Sequence, residues 1–270
     1  MRFLLISRDE LVETNEAFRE ACAARRIALT ILEAGSAGTS DLGVPGERAI
    51  YTAAADRASG LLETLIARPG DALLHDPDFV YQHQPIVLRK NGVPMARAVY
   101  IPDPDLLASQ ADWLGGYPVV VKRPGTEGGA GVSLAHELPE LQTALEDCPG
   151  AMLEEFTPHV RGWRATVLGD EALAMTATRP AEGDFRTNAP GHSADPDATV
   201  PDGLADLAIR AVTALRLRFG GVDILEGADG ALTLTEVNFP CFFADQQTQT
   251  GVDIAGSIVD YLAARVGLTA

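Results

Sequence analysis

Three oxygen-bearing side chains stand close together late in the sequence: Asp223 in "GVDIL" (221–225), and Glu236 and Asn238 in "LTLTEVNFP" (232–240). In the second stretch Leu232, Leu234 and Val237 are apolar, Thr233 and Thr235 are polar, and the run stops on Pro240. Residues two apart on a strand share a face, so Glu236 and Asn238 present a carboxylate and an amide oxygen in one direction. Asp229-Gly230 between the two stretches is a hairpin turn signal, and pairing around it sets Asp223 nearly opposite Glu236. Hard oxygen donors without His or Cys suit magnesium, which keeps several waters and takes the rest of its shell from substrate phosphates. A solvated hairpin ending in a turn-forming Asn carries the same residue types. Asp223, however, sits between Val222 and Ile224, an uncommon setting for a charge that only solvates.

Two further groups carry potential chemistry. Lys122 precedes "GTEGGAG" (125–131), where Gly125, Thr126, Gly128, Gly129 and Gly131 form a glycine-rich turn. Such a turn lets backbone N–H groups approach phosphate oxygens, and a nearby lysine adds a compact charge. It is not a GxxxxGK[ST] loop, because the lysine comes before the glycines. "EGDFRTN" (182–188) holds Arg186 and Asn188, and an arginine there can clamp a growing phosphate or carboxylate charge. Read singly, these are equally a mobile hairpin tip and a surface loop.

The elements that must position these residues follow from periodicity. "RFLLIS" (2–7), a helix over 15–26 and "IALTILEA" (27–34) predict a strand–helix–strand opening, typical of a parallel α/β sheet. No GxGxxG follows the first strand, so a dinucleotide fingerprint is absent. The chain continues with a loop (36–47), a helix over about 52–67, a short strand "DALLH" (71–75), and a hinge bracketed by "DPDF" (76–79) and "YIPDPD" (100–105). "YPVVVKRPGTEGGAGVSLA" (117–135) reads as strand, glycine loop, strand, followed by a helix over 138–147 and a strand over 151–156. A hairpin turning at Gly169-Asp170 comes next. A helix over 204–217 then places Leu204, Leu207, Ala208, Ala211 and Leu215 on one face. The hairpin of the three oxygen ligands follows. A last helix spans "TGVDIAGSIVDYLAARV", with Thr250 and Asp253 at capping-box spacing.

Taken as an ordered set, Lys122, the glycine turn, "LEEF" (153–156), "EGDFRTN", "GVDIL", "TEVNFP" and "TGVDIAG" resemble the ATP-grasp ligases, most closely the RimK-like and glutathione synthetase-like carboxylate–amine ligases. The resemblance covers roughly residues 117–265. It implies an α/β (α+β) ATP-grasp fold: an N-terminal open parallel subdomain (1–79), a central subdomain carrying the glycine loop (80–150) and a C-terminal subdomain carrying the metal site (151–270). It implies that Lys122 and the 125–131 loop meet the ATP phosphates. Glu154, Glu155 and Phe156 would meet adenine. Asp223, Glu236 and Asn238 would hold Mg2+, with Mn2+ as an alternative. Arg186 and Asn188 would sit at the γ-phosphate and the reacting carboxylate. The implied reaction joins a small-molecule or peptide carboxylate to an amine through an acyl phosphate. A nucleotide-binding domain without turnover and a kinase on the same fold are the alternative readings.

The sequence departs from that pattern at three places. The family's earlier phosphate-binding lysine has no counterpart in "FVYQHQP" (79–85). Gly162 or Trp163 stands where an acidic ribose-binding residue is usual. Cys241 follows "NFP" in place of glycine.

Composition sets the outer bounds. The 270 residues are 46% hydrophobic and carry a formal net charge of −17, enough apolar residue for a sizeable core and the wrong sign for a nucleic-acid or anionic-membrane surface. The three cysteines have no metal-type spacing, which fits a reducing, cytoplasmic setting, and the apolar start "FLLI" is too short for a signal peptide or a span. A homo-oligomer is compatible with all of this.

Overall fold

The computed structural model describes residues 1–33, 47–54, 57–75, 84–124, 126, 129–189 and 191–266. Gly125 and Gly128, the loop expected at 36–46 and the hinge segment 76–79 lie outside the described residues.

The N-terminal unit is a three-stranded parallel sheet, β2-β1-β3, built from β1 (Arg2–Ser7), β2 (Ala28–Glu33) and β3 (Arg48–Thr52). Alternation along β1 sends Leu4 and Ile6 to one face and Phe3 and Leu5 to the other, so the strand is apolar throughout. Leu4 and Ile6 pack with Ile50 and with Leu62 and Ile66 of helix α2 (Arg57–Ile66). Phe3 and Leu5 pack with Phe18 of helix α1 (Val12–Ala24) and with residues from the far end of the chain. The helix expected over 52–67 is shorter than predicted: Thr52 is the last residue of β3, and helix runs from Arg57 to Ile66. Arg48 misleads by its charge, since its guanidinium is fully buried and paired with Asp71. "DALLH" is not a full strand. Ala72 bridges Ala49, and His75 bridges Leu217 on the other side.

After helix α3 (Gln84–Lys90), a four-stranded sheet of order β4-β7-β5-β6 forms the central unit, from β4 (Ala98–Val99), β5 (Val119–Lys122), β6 (Val132–Ala135) and β7 (Met152–Glu155). Helices α4 (Leu107–Trp113) and α5 (Leu138–Asp147) cover it through Leu107, Ala111, Leu141 and Leu145, which meet Val119, Val121 and Leu153. Because β7 pairs with β5, this sheet runs to Glu155 and not to residue 150.

The third unit is a five-stranded antiparallel sheet, β10-β9-β8-β11-β12: β8 (Arg161–Leu168), β9 (Glu171–Arg179), β10 (Ser193–Ala194), β11 (Phe219–Glu226) and β12 (Leu232–Asn238). Helix α6 (Leu204–Ala214) lays Leu204, Leu207, Ala208 and Ala211 against Trp163, Val222, Ile224 and Val237. The chain ends in α7 (Ala244–Thr250) and α8 (Ile254–Ala263). Ile254, Ile258 and Leu262 of α8 cross back to fill the core under β1. The expected cap at Thr250 is displaced. Thr250 closes α7, Gly251 turns the chain at φ +70°, and Asp253 is the N-cap of α8, accepting from Gly256 N at 2.8 Å.

Candidate active site

The three units face one another across a cleft of about 1120 Å3. Its floor is the hairpin β11–β12. The register places Asp223 directly opposite Glu236, as the Asp229-Gly230 turn predicts, and Gly221 opposite Asn238. A β-bulge lies between these pairs and the next: Ile224 is opposite Leu234, which leaves Thr235 as the extra residue. Leu234 and Val237 both enter the core although they are three residues apart, and only a bulge reconciles that spacing with a two-residue period. The bulge is what turns Glu236 out of the core and into the cleft. Thr235 Oγ1 fixes it by donating to the Asp223 carbonyl at 3.1 Å.

Asn238 Nδ2 donates to Asp223 Oδ2 at 3.0 Å and to Glu236 Oε1 at 3.2 Å, so the three expected ligands converge. Burial pushes the Asp223 carboxyl up to about 7, and the neighbouring Glu236 charge pushes the same way. Arg164, 3.0 Å from Asp223 Oδ1, opposes the rise. Arg164 is a site residue that sequence reasoning missed. It stands directly opposite Asp223 on β8, but β9, β10 and α6 separate the two strands in sequence, so no local signal pairs them. Cys241 is buried beside this group, and burial pushes its thiol up to about 12, which removes it as a thiolate nucleophile.

The opposite wall comes from the central sheet. Lys122, at the end of β5, is held by Glu154 Oε1 at 2.7 Å, and both line the cleft. Phe156 follows, with the Phe185 ring at 6.0 Å and the His159 ring at 6.4 Å. The Glu155 carboxylate is engaged elsewhere: Arg97 forks onto both its oxygens at 2.8 and 2.9 Å, and the Glu155 N–H donates to the Arg97 carbonyl at 2.9 Å.

The roof joins the glycine turn to the loop of Arg186. Arg186 donates to both Asp184 oxygens, at 2.7 Å from Nη2, and from Nη1 to the Gly129 carbonyl at 3.0 Å. The guanidinium holds the Asp184 carboxyl down to about 2. Two glycines permit this closeness. Gly129 has φ +73°, and a Cβ there would lie 2.7 Å from Asn188 Oδ1. A Cβ on Gly162 would lie 2.4 Å from Thr187 Oγ1. The departure from the family pattern at Gly162 thus has a structural role: the residue between Arg186 and Asn188 occupies the space a side chain would take. Thr126 lines the cleft, and a Cβ on Gly131 would meet its hydroxyl at 2.0 Å.

Residues 83–262 match the RimK-like ATP-grasp domain, two thirds of the chain. The chain belongs to this family. A probable alpha-L-glutamate ligase of Xanthomonas oryzae pv. oryzae is 32% identical over 220 residues, covering 78% of this chain and 73% of that protein. A ribosomal protein bS6–L-glutamate ligase of Shigella boydii serotype 4 is 30% identical over 182 residues, covering 65% of this chain and 60% of that protein. Among solved structures, the ATP-grasp ligase PsnB complexed with a minimal precursor, Mg and ADP aligns with a TM-score of 0.75 at 20% identity, over 98% of this chain and 96% of that one. The D-alanine–D-alanine ligase of Bacillus anthracis aligns with a TM-score of 0.66 at 15% identity, over 98% and 97%. The fold is ATP-grasp, and the protein is an ATP-dependent carboxylate–amine ligase of the RimK-like family, whose members use ATP and magnesium.

For a RimK-like ligase the oxygen set has the right chemistry. Among the described residues no group of three or more His, Cys, Asp or Glu side chains clusters as a metal site. The set is two carboxylates and an amide, which leaves most of a magnesium shell to water and phosphate. The elevated Asp223 carboxyl fits a cation as well, since burial and then the neighbouring Glu236 charge disfavour its anion, and a cation would offset both. Among the described residues no helix is long and apolar enough to cross a membrane.

Proposed function

We propose that this ligase adds L-glutamate, or a closely similar amino acid, to the carboxylate of a peptide or protein. The observation that supports it is the convergence of Asp223, Glu236 and Asn238 on the cleft floor beneath a roof made by Arg186 and the glycine turn. The relatives named for glutamate ligation supply the substrate class.

In this reading Asp223, Glu236 and Asn238 hold magnesium, and manganese substitutes because it shares the preference for oxygen donors. When bound, the metal neutralises phosphate charge while the terminal phosphoryl group of ATP moves to the carboxylate. Lys122 binds the nucleotide phosphates, aimed by Glu154, and Phe156 lies against the base. Arg186, oriented by Asp184, contacts the oxygens that gain charge as the acyl phosphate forms, and Asn188 completes that contact. The amine then attacks the acyl carbon. The nitrogen, bound as ammonium, gives one proton to solvent to free its lone pair; the C–N bond forms, the C–O bond to phosphorus breaks, phosphate leaves with the electron pair, and the nitrogen loses a second proton as the amide forms. Most of the protein's contribution is positioning and exclusion of water.

Mass spectrometry tests the substrate class. Peptides with free C-terminal and side-chain carboxylates are incubated with protein, ATP, magnesium and a pool of amino acids. The expected product is a peptide heavier by one glutamate residue, formed only with ATP. ATP consumption with a phosphorylated alcohol and no amide would instead support the kinase reading.

A further inference from the structure

The part of the cleft lined by the N-terminal unit carries polar residues that nucleotide and metal binding do not use. Thr52 closes β3, Glu63 lies on α2 and His75 follows the Ala72 bridge; all three line the same cleft as the metal ligands. Glu63 is buried, and its two oxygens are met by His75 Nε2 at 2.6 Å and by the Thr52 hydroxyl. A carboxylate offers about four lone-pair directions, so one held by two partners still has capacity for a further donor.

The placement is rigid. The 72–75 segment bridges β3 through Ala72 and Ala49, and bridges Leu217 through His75, while Arg218 N donates to the Leu74 carbonyl at 2.7 Å. The His75 ring meets the Phe239 ring edge-on at 5.3 Å, and Phe239 directly follows the ligand Asn238. Phe239 therefore links the Asp223–Glu236–Asn238 group to His75, Glu63 and Thr52, in the same cleft that Lys122, Glu154 and Phe156 line. Of the carboxylates that line the cleft among the described residues, Glu154 holds Lys122, Glu155 holds Arg97, and Asp223 and Glu236 belong to the metal group, which leaves Glu63 for a cationic group of a substrate. The nucleophile of the reaction is an amine, and an amino acid brings it as an ammonium group.

We propose that Glu63, aligned by His75 and Thr52, forms the acceptor subsite of the ligase and takes the ammonium group of the incoming amino acid. The proposal rests on the ligase reading and adds to it the residues that select the amine. A buried carboxylate exchanges water for the ammonium at low cost when its orientation is already fixed. Thr52, Glu63 and His75 all precede the 83–262 family match and belong to the N-terminal unit.

The test is a binding titration by calorimetry on protein loaded with magnesium and a non-hydrolysable ATP analogue. L-Glutamate and N-acetyl-L-glutamate are the probes, since they differ in the ammonium group. Wild-type protein is expected to prefer L-glutamate at least tenfold. Glu63→Gln, which keeps size and one acceptor oxygen while removing the charge, is expected to reduce that preference to less than about twofold. Thr52→Val, a second variant in case Glu63→Gln melts early, is expected to reduce it by at least threefold. No preference in the wild type, or an unchanged preference in folded Glu63→Gln, overturns the subsite. Hydroxylamine capture of an acyl phosphate by the wild type, with ATP in place of the analogue, reports on the ligase reading separately, because it detects activation and not amine selection.

Discussion

Replacing Arg186 by lysine keeps the charge and removes the planar fork. In the structure that fork makes two connections at once, to Asp184 and to the Gly129 carbonyl, with the side chain 28% exposed. A lysine ammonium can reach one of these partners but does not span both. Hydrogen bonds to charged groups contribute roughly 1.5–3 kcal/mol each, and partial exposure favours the lower figure. Losing about two of them, one within the roof and one to the growing phosphoryl charge, costs about 3 kcal/mol. At about 1.4 kcal/mol per tenfold, that predicts a kcat lower by roughly 10²-fold. ATP affinity should change by less than about tenfold, because Lys122 and the glycine turn carry the nucleotide. Steady-state phosphate release with a peptide acceptor, alongside titration of an ATP analogue, measures both quantities. An unchanged kcat, or a loss confined to ATP affinity, would remove Arg186 from the chemical step.

Three further outcomes follow from the same geometry. Asp184, depressed from 3.8 to about 2 by Arg186, contributes stability above pH 4 that disappears as the pH falls toward 2. Asp184→Asn should therefore cost about 1–2 kcal/mol at neutral pH after allowance for screening, and next to nothing at pH 2, as read by urea unfolding at both values. Gly129→Ala and Gly162→Ala place a methyl group 2.7 Å from Asn188 Oδ1 and 2.4 Å from Thr187 Oγ1. Each should cost about 1–3 kcal/mol and lower kcat more than it changes ATP affinity; normal kinetics in either would show that the roof is not required in this form. Alkylation of the native protein by iodoacetamide should reach Cys148 before Cys22 and Cys241, both of which are buried with thiols pushed up to about 11 and about 12; peptide mapping after a short reaction decides the order.

What the sequence made legible is mostly local. The β11–β12 hairpin could be read because Asp229-Gly230 marks its turn; Asp223 meets Glu236 because the bulge offsets a three-residue loop closed by Gly227 N to the Ala231 carbonyl, and Leu234 with Val237 carries the odd spacing of that bulge. The face of α6 could be read because Leu204, Leu207, Ala208 and Ala211 repeat at helical spacing. β3 was hidden because it is short and opens on a charged residue, Arg48, whose burial depends on the distant Asp71. Arg164 and the Glu63–His75 pair were not legible, since each depends on contacts between distant segments. The Asp253 cap was misassigned to Thr250 because α7, a short polar helix, gives no apolar period from which to read its end.

The central claim is that the Asp223–Glu236–Asn238 group supports activation of a carboxylate as its acyl phosphate. Hydroxamate formation with ATP, magnesium, a peptide carboxylate and hydroxylamine measures that step alone, in wild-type protein and in Glu236→Gln, which keeps size and changes charge. Magnesium-dependent hydroxamate is expected in the wild type, with a loss of about 10²-fold or more in a variant whose melting temperature is unchanged. Hydroxamate formed at near-normal rate by Glu236→Gln, or phosphate released by the wild type with no hydroxamate, would contradict it.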